Sequence, residues 1–199
     1  MEKVSADDAY FSRCILGSVS TDSAQLFFGL LTFVAAAASI GLVGLRIASA
    51  AGSDGATRAG REITGASTWL AFIVAATATL GSLYFSEVAH FVPCRLCWFQ
   101  RIAMYPLSVI LLVGAIRRDA AVRWYVGPLA AIGALIAAYH TLIEIKPELD
   151  SGACELFGPS CTDVWFEEFG FMTLANMALV GFLTILLLMF VRFPERIEP

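Results

Sequence analysis

The chain has 199 residues, of which 58% are hydrophobic and only 15% are charged. Soluble domains carry roughly a quarter charged residues, so this composition excludes an ordinary soluble domain and predicts an all-α integral membrane protein. The net charge of −4 comes without a basic patch, which excludes nucleic acid as a partner and makes the lipid bilayer the expected surroundings.

Five apolar stretches are long enough to cross the bilayer, since about 20 apolar residues span the hydrocarbon. They cover residues 24–50, 67–89, 98–116, 124–145 and 172–191. The segment before them lacks the basic start of a signal peptide, so we do not expect cleavage. Ala48-Ser49-Ala50 does resemble a cleavage site, but the apolar stretch before it is too long for a signal peptide.

The arginines predict the orientation of these spans. Most basic residues lie in 51–65, in 117–123 and in the C-terminal tail, and basic loops stay on the cytoplasmic side. Five spans put these three segments on that same side. The N-terminal segment, the turn around residues 90–97 and the loop 146–171 are then predicted to face outward.

Four of the five cysteines fall on the outward side, where disulfides persist. Cys94 and Cys97 are three residues apart at the head of the third span, and Cys154 and Cys161 lie in the last outer loop. The dipole of a helix start favours a thiolate. Arg101 shares a helix face with Cys97, and a guanidinium near hydrocarbon is costly unless it has a use. The pattern predicts exchange between two cysteine pairs and electron transfer to a membrane-soluble acceptor.

Simpler explanations remain open for these residues. Cys94 and Cys97 could form a structural disulfide, or half of a zinc site completed by the loop pair Cys154 and Cys161. The loop pair could equally staple its own loop. Arg101 could extend its side chain to the outer interface.

For His140, Glu144 and Gln100 the residue types alone predict only structural roles. His140 and Glu144 are spaced as an i,i+4 pair and could sit at an aqueous helix end. For Gln100 we expect a hydrogen bond between helices rather than a ligand contact. Cys14 has no assigned role.

Residues 93–107, PCRLCWFQRIAMYPL, resemble the signature of the disulfide bond formation protein B family in its shorter bacterial form. Residues 139–144 (YHTLIE), the pair Cys154 and Cys161, and residues 169–173 (FGFMT) match further family elements in the same order. The resemblance implies a four-helix bundle in the bacterial inner membrane. Such a protein oxidises a secreted thioredoxin-like dithiol oxidase and passes two electrons to a quinone, either ubiquinone or menaquinone.

The resemblance also implies roles for individual residues. Cys154 would form the mixed disulfide with the partner, and Cys161 would exchange with Cys94. Cys97 would be the thiolate that faces the quinone ring, and Arg101 would hold a quinone oxygen.

His140 is implied as a candidate for the quinone pocket, and no metal is expected. The sequence departs from the family pattern in its first span, which is additional to the four helices, and in the short spacing of the loop pair, which leaves the order of exchange there open. The resulting division of the chain is an extracytoplasmic segment 1–22, an extra transmembrane helix 23–50, a cytoplasmic linker 51–65, the four-helix bundle 66–192 and a cytoplasmic tail 193–199.

Two competing functions are worth retaining. A vitamin K epoxide reductase-like enzyme also combines a helical bundle, a CxxC pair and a quinone. In that family the active CxxC follows the loop pair, whereas here it precedes it, which argues against this reading. The other alternative is a non-enzymatic membrane protein whose loops are stapled by disulfides.

Overall fold

The computed structural model describes residues 21–150 and 159–193, and within these ranges the chain is built of helices. This confirms the prediction of an all-α membrane protein. Cys14 and Cys154 lie outside the described residues. The five long helices are α1 (Thr21–Ala50), α2 (Asp54–Leu83), α3 (Arg95–Arg117), α4 (Val122–Ile145) and α5 (Leu174–Phe190).

The first four helices are long and apolar enough to cross a membrane, and α2 does so together with the turn that continues it to Val88. Helix α5 has only 17 residues. At 1.5 Å per residue it measures about 26 Å, which is close to the roughly 30 Å thickness of the hydrocarbon. Its apolar composition therefore suits a short fifth span.

The connection between α1 and α2 is much shorter than the predicted linker 51–65, because α2 begins at Asp54. Ser53 caps the helix by accepting a hydrogen bond from the Ala56 amide at 3.3 Å, and Asp54 places a negative charge in the first turn. The hydroxyls of Ser49 and Thr57 lie 2.8 Å apart across the turn. Helix α1 therefore folds straight back along α2. The cytoplasmic location of this turn stays a prediction.

At its other end α2 continues into a π-helical turn, Tyr84–Val88, that the sequence pattern did not predict. His90 follows with a φ of 58°, in the left-handed region that few residues other than glycine adopt. The Phe91 amide then bonds back to the Phe85 carbonyl at 2.9 Å. This tight reversal delivers the chain to Cys94 at the head of α3.

Helix α3 begins at Arg95, three residues before the predicted start, and runs through Pro106 without a break. It ends at Arg117, and the next residue, Arg118, has a φ of 52° that turns the chain toward α4. The start of α3 meets the end of α4 through Gln100 and His140, so these two helices are antiparallel.

The centre of the bundle lies between α3, α4 and α5. A Cβ on Gly133 of α4 would collide with the ring of Phe182, so glycine allows α4 and α5 to approach closely. Helix α1 packs outside this centre, against α2 and α5. The large side chains with no exposed surface at the centre are Leu107, Leu111, Val126, Phe182 and Ile185.

Candidate redox site

The paired cysteines meet at the first turn of α3. Cys94 caps this helix, and its sulfur accepts a hydrogen bond from the Cys97 amide at 3.4 Å. The Cys94 thiol also donates to the Cys97 sulfur, with 3.1 Å between the two Sγ atoms. The hydrogen bond to Cys97, together with burial, raises the pKa of the Cys94 thiol to about 12. Cys94 therefore keeps its proton at neutral pH and holds it against Cys97.

Cys161 reaches this pair from the loop before α5. It is 1% exposed and belongs to one buried cluster with Cys94, Leu96 and Ile143, against which Cys97 also packs. The structure thus brings together three of the four cysteines predicted to carry the chemistry.

His140 of α4 stands between the two cysteine segments. Its Nδ1 lies 3.1 Å from the amide nitrogen of Gln100, and because that nitrogen donates, Nδ1 accepts and Nε2 carries the proton. Nε2 lies 3.2 Å from the Cys161 carbonyl oxygen and 3.7 Å from the Cys94 sulfur. The predicted helix-to-helix hydrogen bond of Gln100 is confirmed. His140 contacts the cysteines, and its predicted role in binding the quinone stays a prediction.

Glu144 lies one turn beyond His140, and both side chains are buried, at 7% and 4% exposure. One carboxylate oxygen is 3.8 Å from His140 Nε2, and the other accepts a hydrogen bond from the Thr173 hydroxyl at 2.6 Å. His140 and Glu144 therefore do form an i,i+4 pair. The pair is buried between α4 and the start of α5 rather than placed at an aqueous helix end.

Arg101 turns toward α2. One guanidinium nitrogen donates to the Ser82 carbonyl at 3.0 Å, and the guanidinium carbon lies 5.3 Å from the centre of the Trp98 ring. The Tyr105 hydroxyl donates to the Ser82 hydroxyl at 3.3 Å. Sequence reasoning missed Ser82, whose only signal is a serine in an apolar helix.

Two cavities of very different character meet at Cys97. The large one has a volume of about 490 Å³, inside the roughly 300–1,000 Å³ range of small-molecule sites, and Cys97, Arg101 and Tyr105 line one end of it. The small one, of about 10 Å³, has room for about one water molecule and is lined by Cys94, Cys97, His140 and Glu144. Among the described cysteines, Cys97 alone lines both cavities.

An aromatic roof covers the cysteine end of the large cavity. Phe91 stacks on Phe85 at 5.8 Å between ring centres and on Trp165 at 5.1 Å, with interplanar angles of 7° and 11°. All three rings line the cavity. The roof is built by the π-helical turn, the segment before Cys94 and the loop before α5, so it forms only when these three segments meet.

The same site contains three atoms that could ligate a metal. The sulfurs of Cys94 and Cys97 and a ring nitrogen of His140 lie within 4.8 Å of one another. A structural zinc site takes four ligands, and no other described residue completes this set. The expectation of no metal stays a prediction.

Comparison with known proteins identifies the family. Residues 65–192 match the model of the family described as "Disulfide bond formation protein DsbB". The chain belongs to this family. The resemblance seen in residues 93–107 is thereby confirmed, and with it the membrane setting and a role in disulfide bond formation.

Similar proteins come from bacilli. "Disulfide bond formation protein C" of Bacillus subtilis (strain 168) is 40% identical over 130 residues, which cover 65% of this chain and 94% of that protein. "Probable disulfide formation protein C 2" of Bacillus anthracis is 41% identical over 127 residues, 64% of this chain and 90% of the relative. A "SPbeta prophage-derived disulfide bond formation protein B" of Bacillus subtilis is 42% identical over 113 residues, covering 57% and 76%. A search of the solved structures found no significant match.

Proposed function

We propose that this chain is a thiol:quinone oxidoreductase that reoxidises an extracytoplasmic thioredoxin-like dithiol oxidase and so supports disulfide formation in secreted proteins. Membership of the family supports a disulfide-forming oxidoreductase, and the quinone and the partner are the proposed additions. The observation that carries the proposal is the position of Cys97, which lines both the small polar cavity beside Cys161 and the large apolar cavity.

The relay is proposed to begin in the outer loop, with the pairs Cys154–Cys161 and Cys94–Cys97 both oxidised. A partner thiolate attacks the Cys154 sulfur and releases Cys161 as a thiolate; the second partner thiolate then closes the partner disulfide and releases Cys154. Each step breaks one disulfide bond and forms another. The net result is an oxidised partner and a reduced loop pair.

The reduced loop pair then reduces the inner pair. The Cys161 thiolate attacks the Cys94 sulfur and releases Cys97 as a thiolate. The Cys154 thiolate attacks Cys161, restores the loop disulfide and releases Cys94. His140 Nε2–H, 3.7 Å from the Cys94 sulfur, is placed to donate a hydrogen bond to the Cys94 thiolate as it is released. The proton that Cys94 then holds is one of the two that the partner thiols lost when they became thiolates.

The large cavity fits a quinone as the final acceptor. Its charged and amide side chains, Arg101 and Gln100, lie with Tyr105 at the Cys97 end, while its remaining walls are mostly apolar with a few hydroxyls. A polar ring with a hydrocarbon tail has the same division. The quinone supplies a two-electron, two-proton acceptor, so the two thiols of the inner pair return to a disulfide as hydroquinone forms. Arg101 is proposed to hold a quinone oxygen through its positive charge, which is effective in a low-dielectric site.

The redox cysteines are proposed to face the outside of the bacterial inner membrane, with the C-terminus in the cytoplasm. The support is the concentration of arginines near the helix ends opposite Cys94, which are Arg46, Arg58, Arg61, Arg117, Arg118 and Arg123. A reporter fused after residue 199 that is active only in the cytoplasm tests this orientation. A fusion active only outside the cell would contradict it.

The central experiment mixes the purified chain with a reduced thioredoxin-like protein and either ubiquinone or menaquinone. We expect one quinone to be reduced for each partner disulfide formed, measured by quinone absorbance and by counting partner thiols. The Cys97→Ser variant is the control and should reduce no quinone. Quinone reduction by that variant, or none by the wild-type chain, would overturn the proposal.

Thiol trapping separates this function from a stapled membrane protein. In a relay, the inner pair becomes reduced when quinone is withdrawn from membranes that contain reduced partner. In a membrane protein whose disulfides are only structural, Cys94 and Cys97 stay oxidised whatever the quinone supply.

A further inference from the structure

Helix α1 lies wholly before the residues that match the family, which begin at residue 65. It nevertheless contributes eight residues to the lining of the large cavity, whereas α4, inside the family match and fully described, contributes none. The match to the B. subtilis relative covers 94% of that protein over 130 residues. The unmatched remainder of that protein is too short to form a counterpart of the 30-residue α1. The helix that lies outside the family match is thus part of the cavity wall.

One face of α1 makes this wall. Phe28, Ala35 and Leu42 are spaced seven residues apart and all line the cavity, as do Thr32 and Ser39 with the same spacing. A seven-residue spacing keeps side chains on one face of a helix. Ile40 is 74% exposed and lies outside the cavity lining, as expected of a side chain directed at lipid.

Specific contacts dock this face across the opening between α2 and α5. Phe28 lies so close to Gly81 of α2 that a Cβ there would come within 2.8 Å of the ring. On the other side, the Ser39 and Thr184 hydroxyls lie 3.0 Å apart, joining α1 to α5. Hydroxyl pairs and small residues hold helices together in hydrocarbon, where burial alone gives no drive. Helix α1 is therefore packed in place over the cavity.

The cavity is elongated along the bundle. Its lining on α2 runs from Ile63 to Ser82, about 28 Å at 1.5 Å per residue. The end at Ser82 is the end that carries Cys97 and Arg101. A ring bound there would direct an apolar tail along the length that α1 encloses.

We propose that α1 is the lipid-side wall of the acceptor cavity, confining the hydrocarbon tail of the quinone between α1, α2 and α5, with Ala35 setting the width of the channel. This rests on the proposed thiol:quinone function. The proposal adds that α1, which lies outside the family match, selects among quinones by their tails. The residues at the ring end of the cavity that are proposed to bind the quinone ring lie on α3.

Photo-labelling tests the location directly. A quinone with a photoreactive group on its tail is bound to the full-length chain in membranes, irradiated, and the labelled peptides are identified by mass spectrometry. We expect label on the cavity face of α1, between Phe28 and Leu42, and competition by unlabelled long-tailed quinone. Competed label confined to α2, α3 and α5 would overturn the proposal.

A pair of variants tests the width. Ala35→Trp fills the channel, whereas Ala37→Trp puts the same side chain on an exposed position outside the cavity lining. We expect Ala35→Trp to raise KM for a long-tailed quinone about tenfold or more, the scale of a change in an apolar pocket, and Ala37→Trp to leave it unchanged. A tail-less benzoquinone should show little difference between the two variants. Equal KM values for the long-tailed quinone would contradict the inference.

The two proposals fail in different ways. If the wild-type chain reduces no quinone, the thiol:quinone function itself fails. If the wild-type chain reduces quinone while α1 takes no label and Ala35→Trp has no effect on KM, only the role of α1 fails. Single-turnover oxidation of the partner dithiol by oxidised Ala35→Trp, at the wild-type rate, shows that this variant is folded.

Discussion

The two sides of Cys97 differ in almost every physical property. On one side the small cavity is enclosed by buried polar groups that bond one another across three helices: Cys94, His140 and Glu144, with Thr173 behind them. On the other side the large cavity is mostly apolar, and the charged Arg101 and the amide of Gln100 lie at its Cys97 end. The first side fixes sulfur positions and protons, and the second side accommodates a sizeable apolar molecule. Cys97 therefore lies at a boundary where the proposed thiol exchange and the proposed reduction of a quinone each have the environment they need.

The largest effects are expected when each sulfur of the pair is removed separately. We expect Cys97→Ser and Cys94→Ser each to lower quinone-dependent turnover by more than about 10³-fold, since a hydroxyl replaces the nucleophile. They should differ in trapping: Cys97→Ser leaves Cys94 able to hold a mixed disulfide with Cys161, seen by mass spectrometry of non-reduced peptides. The same mixed disulfide on Cys97 in the Cys94→Ser variant, at equal yield, would show that the two sides are interchangeable.

A second test perturbs one side at a time. Arg101→Met keeps an unbranched apolar stem but removes the charge from the large cavity, and we expect kcat/KM for quinone to fall about 10²-fold. His140→Ala acts on the small cavity and should slow exchange between the cysteine pairs about 10²-fold, with KM for quinone unchanged.

These two variants are each other's control. Rapid mixing with excess quinone reports pair-to-pair exchange, and steady-state kinetics at limiting quinone report the acceptor side. If Arg101→Met slowed exchange as much as His140→Ala does, the separation of the two sides would be wrong.

A third test uses the pKa of Cys94. Because the hydrogen bond to Cys97 and burial raise that pKa to about 12, Cys94 is a thiol at neutral pH, and only the thiolate reacts with alkylating agents. In the reduced protein we expect alkylation of Cys94 to accelerate about tenfold per pH unit between roughly pH 8 and 11. Peptide mass spectrometry measures the rate. A plateau near pH 9 would show that Cys94 is an ordinary thiol.

The smallest expected effect concerns stability on the polar side. Thr173→Val removes the donor to Glu144 and the N-cap that bonds the Asn176 amide, so we expect the free energy of unfolding to fall by about 1–3 kcal/mol. Thr173→Ser retains the hydroxyl and should stay near wild type. Unfolding in detergent, followed by circular dichroism, measures both. Equal stability of the two variants would show that the Glu144 carboxylate has another donor.

The sequence predicted the placement of Cys97 and Arg101 because the spacing that relates them is local. Cys97 and Arg101 share a helix face by spacing alone, and apolar length identified the spans. The start of α2 was missed because residues 54–65 are mostly small or polar. They lack the apolar run by which the spans were identified, although they continue the helix. The contacts of His140 with Cys94 and Cys161 depend on how α4 meets α3, which no single helix pattern specifies. The cavity was missed for the same reason: its walls come from helices far apart in the chain.

The aromatic roof has a consequence for which reductants this protein can accept. Phe91, stacked between Phe85 and Trp165, covers the cysteine end of the large cavity, while the inner sulfurs are met from the loop side by Cys161. A small water-borne thiol such as glutathione would have to pass these rings to reach a quinone bound as proposed. Under the proposed relay, electrons would instead enter as protein thiols that react with the outer loop.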